Sequence, residues 1–165
     1  MTSPTTRIIR MPKSVKILAL DLATRTGYAH NAGVSGVMDF TLKRGESPGM
    51  KWLKFEIWLD AFVIEYATDL IVYEQAHHRG GAATHSAHAL IASAERVAAS
   101  RCIEISNYHS MAIKKHAIPN KKKKRCKVSM VRAAMARWPN TYIVDDNHAD
   151  ALWLMDFACT DLGVC

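Results

Sequence analysis

Two stretches of this chain stay apolar for four residues and then end on an acid: Ile17-Leu18-Ala19-Leu20-Asp21 and Leu70-Ile71-Val72-Tyr73-Glu74. Apolar runs of this length fit buried strands, and an acid at the end of such a strand is held at the rim of the sheet, where a carboxylate can meet a metal ion. A third stretch, Asp145-Asp146-Asn147-His148-Ala149-Asp150, sets acids at the mouth of an apolar series, Ala151, Leu152, Leu154, Met155, Phe157 and Ala158, that reads as a terminal helix with Asp146 or Asn147 as N-cap. What the chain can be depends on whether these three stretches meet.

The segments between them favour a meeting. Gly27, Gly33 and Gly36 punctuate Tyr28 to Ala32 and Val37 to Leu42, so the first three strands form an antiparallel meander. From Met50 to Tyr66, Leu53, Ile57, Phe62 and Ile64 recur at roughly helical spacing with Trp52 and Trp58. A strand that follows such a crossover helix pairs parallel to an earlier strand, which brings Glu74 to the same sheet edge as Asp21. A basic loop over Ala76 to Thr84 leads to an Ala-rich amphipathic helix through Ala87, Leu90, Ile91, Ala94, Val97 and Ala98. Cys102 to Ser106 reads as a fifth strand, Ser110 to His116 as a short helix, and Val128 to Trp138 as another. Met1 to Lys13 reads as a loose polar tail outside one domain. The fold class is α/β: a mixed five-stranded sheet flanked by helices.

Hard divalent cations prefer carboxylate oxygens, and phosphoryl transfer by two metals needs carboxylates converging on ions roughly 3.5 to 4 Å apart. Asp21 and Glu74 on neighbouring strands, Asp150 on the terminal helix, and one of Asp146 or Asn147 can build such a cluster. Both spacings, four residues and three, put the pair on one helical face. A single acid at a strand end is ordinarily a strand terminator; three such places in one basic chain point to a shared site.

The 22 Lys and Arg against 15 Asp and Glu give a formal charge of +7, which favours a polyanionic partner, nucleic acid ahead of a membrane surface. Lys121, Lys122, Lys123, Lys124, Arg125 and Lys127 concentrate that charge ahead of a helix, where phosphate contact is expected. No apolar run approaches the ~20 residues of a membrane span, and the N-terminus lacks the apolar core of a signal peptide, so a soluble, cytoplasmic protein is expected. The four cysteines form no close pair and are expected to be free thiols. His85, His88, His109 and His116 are scattered and read as surface residues, and the four tryptophans as core or interface.

The segments Ile17 to Gly27 (ILALDLATRTG), Ile71 to Gln75 (IVYEQ) and Asp145 to Leu152 (DDNHADAL) resemble, in order and spacing, the three acidic motifs of RuvC-type Holliday junction resolvases, within the RNase H-like superfamily. The resemblance implies a homodimeric endonuclease that cuts paired strands of four-way DNA junctions with Mg²⁺ or Mn²⁺, two ions per active site, held by Asp21, Glu74 and Asp150. The family's fourth ligand position falls on Asn147 instead of an Asp or His; either Asp146 takes it over or Asn147 coordinates through its amide oxygen. The loop after Glu74 in such enzymes carries an aromatic wedge, and His77 stands there beside His78 and Arg79; these stack on a base or touch phosphate. One basic residue near the start of the Val128 helix belongs to the implied active site, with Lys124 and Arg125 as candidates. The neighbouring readings are another nuclease of this superfamily, acting on flaps or RNA:DNA hybrids, and a non-catalytic protein that binds branched DNA.

Overall fold

The computed structural model describes residues 14–75, 82–120 and 122–164. The expected N-terminal tail and the residues His77, His78, Arg79 and Lys121 lie outside the described residues. Five strands, β1 (Ile17–Asp21), β2 (Arg25–His30), β3 (Val34–Asp39), β4 (Leu70–Glu74) and β5 (Glu104–Tyr108), form one sheet in the order β3-β2-β1-β4-β5. The first three are antiparallel, and β4 pairs parallel with both β1 and β5. The helices are α1 (Pro48–Glu65), α2 (Ala82–Ser100), α3 (Ser110–Ala117), α4 (Lys127–Arg137) and α5 (Asp146–Leu162).

The apolar runs are explained by helices on both faces of the sheet. Ile17, Ala19, Leu70 and Val72 point into a core shared with α3, α4 and α5. Their neighbours Leu18, Leu20, Ile71 and Tyr73 point into a second core with α1 and α2. Strands buried on both faces have no position for a polar residue until they reach the rim, which is where Asp21 and Glu74 stand. The Ala-rich helix packs its Leu90, Ala94, Val97 and Ala98 within the chain. The tryptophans are core or core-edge residues: Trp58 meets Tyr28, Phe40, Phe55 and Phe62, while Trp138 packs on Trp153 at 4.7 Å.

Several boundaries differ from the expectation, each for a local reason. Strands β2 and β3 begin about three residues early because Gly27 and Gly36 lie inside them; only Gly33, at φ +88°, makes the turn. Strand β5 begins two residues late because Cys102, at φ +54°, still belongs to the turn that leaves α2. The N-cap of α5 is Asp145, whose side chain accepts the His148 backbone N–H, so neither Asp146 nor Asn147 caps the helix. Cys102 and Cys126 are free thiols, whereas Cys159 is disulfide-bonded. The left-handed cap at Gly163 turns the chain back so that the Val164 N–H reaches the Cys159 carbonyl. No helix among the described residues is long and apolar enough to cross a membrane.

Candidate active site

Parallel pairing of β1 with β4, in the register Leu20 opposite Tyr73, carries Asp21 and Glu74 off the same edge of the sheet. What joins them to the third acidic stretch is Gly27. It lies opposite Asp21 in the β1–β2 ladder, and a Cβ on it would stand 1.9 Å from the Asn147 carbonyl oxygen and 2.4 Å from the carbonyl carbon. The first turn of α5 thus rests on bare strand backbone one residue across from Asp21.

Polar contacts hold that turn in place. The Asn147 amide nitrogen donates to the Arg25 carbonyl at 2.8 Å. Arg25 also donates its guanidinium to Asp145 at 3.1 Å and to Asp39 at 3.2 Å, tying the helix cap to β2 and β3. His148 is buried, with Nδ1 accepting the Val144 N–H at 3.2 Å and Nε2 against the Ser35 hydroxyl at 2.9 Å. One helical turn further on, Asp150 faces a cleft of about 580 Å³ lined by Asp21, Ala23, Glu74 and Asn147 together with Lys114, Arg125, Cys126, Lys127 and Met130.

The acids of this cleft hinder one another's ionisation. Burial, and then the carboxylates of Asp150, Glu74 and Asp146, push the Asp21 carboxyl well above the usual range, with only Lys127 opposing. Asp150 is pushed up to about 6, first by burial and then by Glu74, against the pull of Lys114 and Lys127. Acids whose charged forms are held at such disadvantage mark sites built to be completed by something else. Three carboxylates lining one cleft offer the hard oxygen donors that suit a divalent ion such as Mg²⁺. Among the described residues, no three His, Cys, Asp or Glu side chains already stand at ligating geometry.

The two candidates beside Asp150 part company. Asn147 lines the acidic cleft, while Asp146 turns toward α4 and forms an ion pair with Lys127 that holds its carboxyl below the ordinary value. Of the basic run, Arg125 and Lys127 reach the cleft; Arg125 is anchored by donating to the Ile118 carbonyl at 2.9 Å. Lys124 instead lines a groove with Lys123 and Arg132 on the other side of α4, and Lys122 to Lys124 are exposed. Lys114 is a site residue that sequence reasoning misses. It follows the buried Ile113 on α3, a helix packed against α5. In sequence it is one of two adjacent lysines, Lys114 and Lys115, with nothing local to distinguish them.

The geometry can be compared with known proteins. No family model matches the chain, and no curated protein matches it by sequence. Solved structures do match in shape. Thermus thermophilus RuvC superimposes with a TM-score of 0.70 at 12% identity, covering 91% of this chain and 98% of that one. T. thermophilus RuvC in complex with a Holliday junction substrate gives a TM-score of 0.72 at 11% identity, covering 91% and 97%. The yeast mitochondrial Holliday junction resolvase Ydc2 gives 0.62 at 13% identity, covering 90% and 79%. The chain has the RuvC-type, RNase H-like fold.

Proposed function

We propose that this protein is a metal-dependent endonuclease that hydrolyses phosphodiesters at four-way DNA junctions, a crossover junction endodeoxyribonuclease. The observation that carries this reading is the convergence of Asp21, Glu74 and Asp150 on one cleft that is also lined by the cations Lys114, Arg125 and Lys127. Carboxylates alone would repel DNA; these cations give a phosphate something to rest against while the acids recruit a divalent ion. The fold shared with a RuvC bound to a Holliday junction and with a yeast Holliday junction resolvase favours branched DNA over other nucleic acids.

In this reading Asp21, Glu74 and Asp150 hold Mg²⁺ or Mn²⁺. Asn147 supplies the fourth donor: its amide nitrogen is committed to the Arg25 carbonyl, which leaves the oxygen for the cleft. Asp146 serves by positioning Lys127. Divalent ions bound there would supply activation of the attacking water and neutralisation of the leaving oxygen. The exposed Lys122, Lys123 and Lys124 lie against duplex arms, and His77, His78, Arg79 and Lys121 contact the DNA as well. The described residues of one chain form one acidic cleft, so paired cuts are assigned to a homodimer.

The test is a labelled four-way junction, a flap and an RNA:DNA hybrid, each incubated with and without Mg²⁺. Symmetric Mg²⁺-dependent cutting of the junction is expected, with Asp21→Asn and Asp150→Asn abolishing it while junction binding persists. Normal cutting by either variant sinks the assignment. Cutting of the flap or hybrid in preference moves the protein to another nuclease activity of the same fold.

A further inference from the structure

Beside the acidic cleft lies a second hollow, and Lys127 lines both. It has a volume of about 530 Å³ and is bordered by Val128, Val131 and Met135, with Lys127, Arg132 and Asp146 around them. Two of its three apolar side chains are left to water, Val128 at 66% exposed and Met135 at 52%, while Val131 packs partly against the core. Val128 and Met135 could have been polar at no loss to the core, which α4 serves with its buried Met130 and Ala134. Clustered apolar exposure of this kind marks a binding surface.

We propose that this hollow receives a single unstacked nucleobase of branched DNA, next to the phosphate that is cut; this rests on the nuclease reading above. A base has two apolar faces and a polar edge, and it arrives attached to a phosphate. The hollow offers each a counterpart. Val128, Val131 and Met135 cover a face, Asp146, with one oxygen taken by Lys127, turns its carboxylate to an amino or imino N–H at the edge, and Arg132 flanks the whole with positive charge beside the paired Lys127. Arginine additionally stacks on flat rings. The volume lies in the range of small-ligand pockets, roughly 300–1,000 Å³. Two cations beside an apolar floor suit an anionic chain better than a second copy of a protein carrying +7. Bases at a branch point are already weakly stacked, so withdrawing one costs less than in a continuous duplex. A base held here would make the cutting position depend on sequence at the branch.

The experiment uses a four-way junction with 2-aminopurine at the branch point, bound to the full chain in EDTA so that no strand is cut. Wild type is expected to change the fluorescence on binding, and Met135→Ala combined with Arg132→Gln to reduce that change at least threefold while junction affinity falls less than tenfold. In Mg²⁺ the same variant is expected to scatter its cuts over neighbouring positions, as read by sequencing the ends. A variant with the wild-type fluorescence change and wild-type cut positions overturns the proposal. So does a variant that sediments as a monomer where wild type is a dimer, since the hollow would then belong to a second copy. If wild type binds the junction yet cuts nothing in Mg²⁺, the nuclease reading fails, and the fluorescence measured in EDTA still decides the base pocket. If wild type binds no branched DNA, both fall.

Discussion

Substituting Gly27 by alanine isolates the contact on which the site is assembled. Its φ is not among the positive values found at Gly33, Gly45 and Gly163, so alanine can adopt the backbone, and the loss of freedom in the unfolded chain would by itself stabilise the protein by about 0.4–1 kcal/mol. Space decides otherwise. The new Cβ would meet the Asn147 carbonyl oxygen at 1.9 Å and must reach at least 3.0 Å, so the helix start has to retreat by about 1.1 Å. The obstacle is helix backbone, and it is pinned by the Asn147–Arg25 and His148–Ser35 bonds. Overpacking of this kind destabilises by about 1–3 kcal/mol, which outweighs the gain and lowers the melting temperature by several degrees, at ~2–4 °C per kcal/mol for a chain of this size. The same displacement moves Asp150 relative to Asp21, and a misplacement near 1 Å reduces turnover about 100-fold. Gly36→Ala is the control: its Cβ would meet the outer end of the Tyr28 ring, the hydroxyl at 2.9 Å and two ring carbons at 3.1 and 3.2 Å, which is a side chain and not helix backbone. Thermal melting and single-turnover junction cleavage are measured on both variants. A Gly27→Ala protein that melts at or above wild type and cuts at the wild-type rate refutes the claim that α5 must rest on this strand.

Asp150 has a folded-state pKa of about 6, above its ordinary value, so between pH 4 and 6 the native state binds more protons than the unfolded chain and metal-free stability falls as pH rises. Asp150→Asn is therefore expected to melt higher than wild type at pH 8 in EDTA, to lose most of that pH slope, and to gain less from added Mg²⁺; an equal or lower melting temperature counts against the site. Lys114→Ala removes a charge that pulls Asp150 down, so the rising limb of the pH–rate profile moves to higher pH, and Lys114→Arg restores it. A limb that stays put removes Lys114 from the site. Replacing Lys122, Lys123 and Lys124 by glutamine reduces the slope of log Kd against log salt by about 0.9 for each phosphate that these lysines neutralise in the wild-type complex, with little change in the cutting rate of bound junction; an unchanged slope means that these exposed lysines only face solvent.

The strands and two of the three acids are legible in the sequence because burial on both faces leaves a strand no choice of residue until it ends. The parallel pairing of β1 with β4 follows from the helix between them, and with it the shared edge of Asp21 and Glu74. What cannot be read are facts about approach between distant segments. Gly27 and Gly36 look like turn residues in sequence, yet one makes room for α5 and the other lies under the Tyr28 ring. Lys114 and Lys115 are equivalent in the chain, and only the packing of α3 on α5 selects Lys114 for the cleft. The cap lies one residue earlier than expected because Asp145, Asp146 and Asn147 all have cap chemistry. Arg25 settles it by bonding to Asp145 from a strand 120 residues away in sequence.

Asn147 poses the sharpest question, since a carboxylate would be the stronger ligand for a hard cation. Its surroundings favour an amide at this position. An aspartate could not donate to the Arg25 carbonyl and would set two acceptors against each other at a distance now held to 2.8 Å. It would also add negative charge to a cleft in which Asp21 and Asp150 are already held above their ordinary range. Asn147→Asp is thus expected to melt lower than wild type in EDTA at pH 8, through the lost bond, worth ~1 kcal/mol, and the repulsion of the opposed acceptors in this exposed contact. Divalent ions should reverse the order: the melting-temperature gain on adding Mg²⁺ should exceed that of wild type, because ion binding to the native state adds RT ln(1 + [L]/Kd) and Kd falls with the new charge. Should the variant gain no more from Mg²⁺ than wild type, position 147 is not a ligand, and its amide serves only to fasten α5 to β2.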